Sequence, residues 1–238
     1  MTRAILLFTA MISRKVRSMP APATSLIPPC PGKAGKLRAL ALLLGSLAPL
    51  SSHAFVVGIT AGTKSIYLQV GAGSMTGTRF NAGGTPSNNA TINNVTVTVP
   101  PANLGGGPLP MTTDSTVTAS PYDGFTFCSV PSQVYIGGFF RTPGASANAT
   151  LSAQADSALV NAGGQTIPFN SVSWVSGGNG DATATIPSGT FVGGAAQTLL
   201  GVTQNTWFES CLQFNYANAQ LVPAGTFKGR VKYTLTAP

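Results

Sequence analysis

Gly225-Thr226-Phe227-Lys228-Gly229-Arg230-Val231-Lys232-Tyr233-Thr234-Leu235-Thr236-Ala237-Pro238 is the stretch whose pattern decides the fold. Phe227, Val231, Tyr233 and Leu235 fall on odd positions, and Lys228, Arg230, Lys232, Thr234 and Thr236 on even ones. That two-residue period belongs to a β-strand with one buried face, because successive side chains of an extended chain point to opposite sides. A strand so apolar on one side must be covered by the rest of its domain or by another protein. The choice between those two covers bears directly on function.

Working back from this strand, Trp207 to Tyr216 has the same character, with Leu212, Phe214 and Tyr216 on one face and Cys211 on the other. Shorter strands are predicted at Lys64–Val70, Ile92–Val99, Thr116–Ala119, Phe125–Val130, Gln133–Phe140, Ala149–Ala153, Val172–Val175 and Ala182–Ile186. Turn formers separate them, among them Pro100-Pro101, Pro121, Pro131, Pro143-Gly144, Gly163-Gly164 and Gly177-Gly178-Asn179-Gly180. Gly71 to Asn89 reads as a loop rich in Gly, Ser, Thr and Asn. No window after residue 54 carries a 3.6-residue period. Many short strands between Gly and Pro turns predict an all-β antiparallel sandwich or barrel, formed as one domain over residues 55–238.

The formal charge of +8 is unevenly placed. Arg3, Arg14, Lys15, Arg17, Lys33, Lys36 and Arg38 all precede residue 39, with no acid among them. From Phe55 onward six bases face five acids, a net charge of +1, so no basic groove for nucleic acid is predicted. Residues 33–54 carry the marks of a secretory signal. Lys33, Lys36 and Arg38 precede an apolar core at 39–50, and Ser52-His53-Ala54 supplies small residues for cleavage. This twelve-residue core falls short of the roughly 20 residues that a spanning helix needs. Residues 1–54 are therefore expected to form a leader, with the exported chain beginning at Phe55 in the periplasm, at the cell surface or outside the cell. Residues 1–32 make that leader unusually long and contain a second apolar run, Ala4 to Ile12; Met19 is an alternative start.

Cys30 would be lost with the leader, leaving Cys128 and Cys211 to pair in an oxidising compartment. Closing so long a loop is worth about 4 to 5 kcal/mol on chain-entropy grounds. His53, the only histidine, also lies in the leader, so the usual nucleophile triads and zinc sites are not expected. Asp114, Asp123, Asp156, Asp181 and Glu209 match no catalytic motif and read as turn and surface residues. No enzymatic activity, metal or cofactor is expected. Gly177 to Asp181 offers too few oxygen ligands for calcium and reads as a tight turn. Tyr122, Trp174, Trp207 and Phe208 would provide a carbohydrate-binding face if exposed, and core packing if buried.

The segment after the cleavage point alternates as well, with Phe55, Val57, Ile59 and Ala61 on one side. With a signal peptide, one disulfide, Gly225 fourteenth from the end and the alternating final strand, the chain resembles the subunits of chaperone-usher pili, including the spore-coat-U-like secreted proteins. The resemblance implies an incomplete immunoglobulin-like sandwich, capped by a periplasmic chaperone and assembled with like subunits into an adhesive surface fibre. It casts Phe55, Val57, Ile59 and Ala61 as a donor strand and Phe227, Val231, Tyr233 and Leu235 as a wall of the acceptor groove. Ala237 stands where pilins carry an aromatic next to last. The other expectation is a self-contained secreted module binding carbohydrate, with Phe55 to Ala61 an edge strand of its own sheet.

Overall fold

Alternating segments satisfy two demands at once when they pair edge to edge. Their backbone N–H and C=O groups bond to neighbours, and their apolar side chains collect on one face. In the computed structural model, which describes residues 2–12, 57–77, 93–144, 148–180 and 184–238, this pairing organises nearly everything. The strands come in chain order as β1 (Thr2–Ile12), β2 (Val57–Gly58), β3 (Ser65–Val70), β4 (Gly73–Gly77) and β5 (Asn93–Val99). Then follow β6 (Leu109–Pro110), β7 (Thr112–Thr113), β8 (Val134–Arg141), β9 (Asn148–Ala155), β10 (Ala158–Val160) and β11 (Thr166–Pro168). The series closes with β12 (Val172–Gly177), β13 (Gly189–Thr190), β14 (Ala196–Thr203), β15 (Thr206–Tyr216) and β16 (Gly225–Thr236).

They make two sheets. Sheet I runs β11-β10-β16-β1-β5-β7, with β9 also on β16 and β14 on β9. Sheet II runs β13-β12-β15-β8-β3-β4, with β2 and β6 on β15. Among the described strands only β1 with β5 pairs in parallel. From sheet II, Leu68, Val70, Ile136, Phe140, Phe208, Leu212 and Phe214 point inward. They meet Val95, Val99, Leu151, Phe227, Val231, Tyr233 and Leu235 of sheet I in one buried core. The protein is an all-β sandwich, as the alternation predicts.

Some predicted strands are absent. Thr116–Ala119 and Phe125–Val130 form no strand; they meet at the bridge Ala119–Thr126 and where the Phe127 and Cys128 N–H groups donate to Thr118 O, and the disulfide ties them to the outer face of sheet II. In Ala182–Ile186 the described residues 184–186 form no strand; Ile186 is buried and its N–H donates to Ser210 Oγ at 3.0 Å. Conversely, β4 lies inside the predicted loop. Gly71, at φ +55°, turns the chain from β3 into β4, and a Cβ there would collide with the Asn93 side chain. The apolar run Ala4 to Ile12, expected to belong to a leader, is part of a strand inside sheet I.

Candidate functional site

The feature that sets this sandwich apart is the place of β1. It pairs with β16 antiparallel over eleven positions, from Thr2 opposite Leu235 to Ile12 opposite Gly225. Its other edge pairs with β5 in parallel over seven, from Leu6 opposite Asn93 to Ile12 opposite Val99. Without β1, sheet I is two pieces: β14, β9, β16, β10 and β11 on one side, β5 and β7 on the other. The gap is a slot one strand wide, about 9.5 Å between the flanking strands at two ordinary interstrand spacings.

The walls of the slot are built from the two-residue period. On β16, Phe227, Gly229, Val231, Tyr233 and Leu235 are buried while Lys228 and Arg230 are exposed. On β5, Asn93, Val95, Val97 and Val99 are buried and Thr98 is exposed. Register then marks which positions of an occupant belong with the core. Positions 6, 8 and 10 of β1 each stand across from a buried residue on both walls, namely Val231 and Asn93, Gly229 and Val95, Phe227 and Val97. Asn93 anchors the β5 wall, its Oδ1 accepting from the Ala72 N–H at 2.7 Å beside the turn between β3 and β4. The Tyr233 hydroxyl, fully buried, has no hydrogen-bond partner among the described residues, and burial pushes its pKa well above the usual tyrosine value.

Phe227, Val231, Tyr233 and Leu235 are thus together on the inward face of one wall. The segment cast as donor lies elsewhere. Val57–Gly58 pairs with Thr206 and Trp207 in sheet II, and the Ile59 N–H donates to Asn205 O at 2.8 Å. Val57 and Ile59 are half-buried and Ala61 is exposed; Phe55, like the expected cleavage site before it, is outside the described residues. The occupant of the slot was legible only as an apolar run in the segment expected to be a leader. Its sequence signal is a nearly continuous apolar run, Ala4 to Ile12 broken only by Thr9, which fits a strand and a leader segment equally.

A second buried arrangement lies on the opposite sheet. The disulfide Cys128–Cys211, with Cα atoms 5.5 Å apart, ties the segment 115–131 to the outer face of β15. Beneath it Glu209 is buried, against its reading as a turn or surface residue. Its Oε2 accepts from the Tyr135 hydroxyl at 2.9 Å and from Trp207 Nε1 at 2.8 Å, and its Oε1 accepts from Asn179 Nδ2 at 2.9 Å. Gly137 is the cross-strand partner of Glu209 and leaves the space that the Tyr135 hydroxyl occupies. Burial first, then the Glu209 charge, drives the Tyr135 pKa far up.

Asn179, read as part of a plain turn, is therefore one of three donors that hold a buried carboxylate. Asp114 accepts from the Asn94 N–H, Asp123 from the Phe125 N–H and Asp156 from the Arg230 N–H. Asp181 is outside the described residues. Of the four aromatics considered for sugar stacking, Trp174, Trp207 and Phe208 are buried and Tyr122 is exposed, its ring packed 5.4 Å from that of Trp207. No group of three or more potential metal ligands occurs among the described residues. No family model, curated protein or solved structure matches the chain, so its own geometry carries the functional reading.

Proposed function

We propose that the chain is an exported structural or adhesive surface subunit, an incomplete immunoglobulin-like sandwich that assembles by strand exchange. One observation carries this reading. Sheet I is continuous only with a strand drawn from residues that the sequence assigns to a removable leader. Chain beginning at Phe55 would present two unpaired edges and an uncovered strip of core, a surface that a β-strand from elsewhere satisfies with main-chain bonds and alternating side chains. Phe55, Val57, Ile59 and Ala61 of a second copy have the required period. A periplasmic chaperone would hold the slot until then.

The test is the oligomeric state and thermal stability of residues 55–238 secreted to the periplasm, beside a variant lacking 55–61. Strand exchange requires oligomers from the first, and from the second a monomer that a synthetic Phe55–Ala61 peptide stabilises. Stable monomers from both would end this reading.

The self-contained binding module keeps an observation of its own. Val57–Gly58 is bonded to the edge of sheet II in the same molecule, and Tyr122 and Phe125 stand exposed on the disulfide-tied segment. That reading requires both proteins to be monomers and Tyr122→Ala to abolish binding on a glycan array.

A further inference from the structure

The same slot has an internal occupant, and that occupant has a consequence for when the slot is open. We infer that Thr2–Ile12 is a built-in plug: while it remains joined to residues 55–238, it closes the slot to any β-strand added from outside, a second copy above all. The inference rests on the slot being the assembly site.

Three observations support it. The pairing is long, eleven positions on β16 and seven on β5, so both walls are bonded along their length. The register is productive, because the apolar positions Leu6, Phe8 and Ala10 coincide with the buried positions of both walls. Finally, the plug is tethered. Residues 13–56 join Ile12 to β2, so the plug competes from within the same chain.

Tethering decides the competition. A segment joined covalently to the body that carries its site acts at an effective concentration on the order of millimolar, whereas a second copy is present at its bulk concentration. At micromolar protein the internal strand therefore has an advantage of about a thousandfold for equal intrinsic affinity. Cutting the chain after Ala54 abolishes the advantage without altering either wall. The two segments, Ala4–Ile12 and Phe55–Ala61, then become successive users of one slot: the first before processing, the second, from another copy, after it.

The experiment uses the full chain, 1–238, refolded under oxidising conditions, with a specific protease site placed between Ala54 and Phe55. A fluorescent Thr2–Ile12 peptide is offered to the intact and the cut protein, and uptake is followed by anisotropy. The expected result is uptake at least about a hundredfold faster after cutting and removal of residues 1–54. Amide exchange in β16 and β5 should be protected in the intact chain and lose protection after removal. Equal uptake by intact and cut protein, or unprotected β16 and β5 amides in the intact chain, would overturn the plug. A Leu6→Asp, Phe8→Asp double variant, left uncut, should take up peptide like the cut protein; if it still excludes peptide, the plug is not Thr2–Ile12. Failure of the assembly reading looks different: the cut protein then takes up the Thr2–Ile12 peptide but neither oligomerises nor takes up Phe55–Ala61.

Discussion

Glu209 is the residue on which most local polar order depends, because three donors from three parts of the chain converge on one buried carboxylate. Glu209→Ala would strand the Tyr135 hydroxyl and the Trp207 indole N–H in a buried place and deprive the half-buried Asn179 amide of its acceptor. At about 1 to 3 kcal/mol for each orphaned group, partly relieved by local rearrangement, a loss of about 3 to 5 kcal/mol is expected in urea unfolding. Glu209→Gln keeps an acceptor and should cost less than half as much. Gly137→Ala should mimic the larger effect, because a methyl group there displaces the Tyr135 hydroxyl. Tyr233 makes the opposite case. Its hydroxyl is buried without a partner among the described residues, so Tyr233→Phe should leave the melting temperature unchanged or raise it, by up to about 1 kcal/mol in stability.

At the scale of elements, the disulfide holds a segment that has few strand bonds of its own. Replacing Cys128 and Cys211 by Ser should lower stability by about 4 kcal/mol. It should also expose the 115–131 segment to limited proteolysis well before either sheet opens, with cleavage beside Tyr122 or Phe125 on a peptide map. The strands that the sequence revealed, β3, β5, β8, β9, β12, β15 and β16, supply most of the core; β8 and β15 are buried on both faces over much of their length, while β5, β9 and β16 alternate cleanly in burial. Those it concealed lack that pattern. β14 has a register shift between Thr198 and Leu200 that breaks the alternation, and β4 is a Gly-Ser-Met-Thr-Gly run that owes its place to pairing with β3. The wall of the slot on β16 was legible because one face of a strand is visible in its own residues. The occupant was not, because pairing partners distant in sequence leave no local mark, and an apolar run beside basic residues suits a leader as well as a strand. Glu209 was concealed for a related reason. It points away from the sandwich core, and only the overlying 115–131 segment, with the loop that carries Asn179, buries it.

For the molecule as a whole, the buried tyrosines set an alkaline limit. Tyr135 and Tyr233 have pKa values raised far above about 10, the value they regain on unfolding, so the folded state binds protons more tightly than the unfolded state. The stability they contribute is fully present below about pH 10 and diminishes as the pH climbs further. The melting temperature should hold steady between pH 7 and 9 and fall above pH 10. Phenolate absorbance of the two buried rings should appear together with unfolding, not ahead of it; early titration of both would show that they are open to solvent. The slot also determines how the assembled protein would carry a load. Its occupant is bonded on both edges and lies lengthwise between β16 and β5. A pull along the axis of such a strand acts on every backbone bond of both ladders simultaneously, whereas a sideways pull would open them one after another. Subunits linked through this slot and stretched end to end would be joined in shear, the geometry in which many modest bonds yield as one strong one.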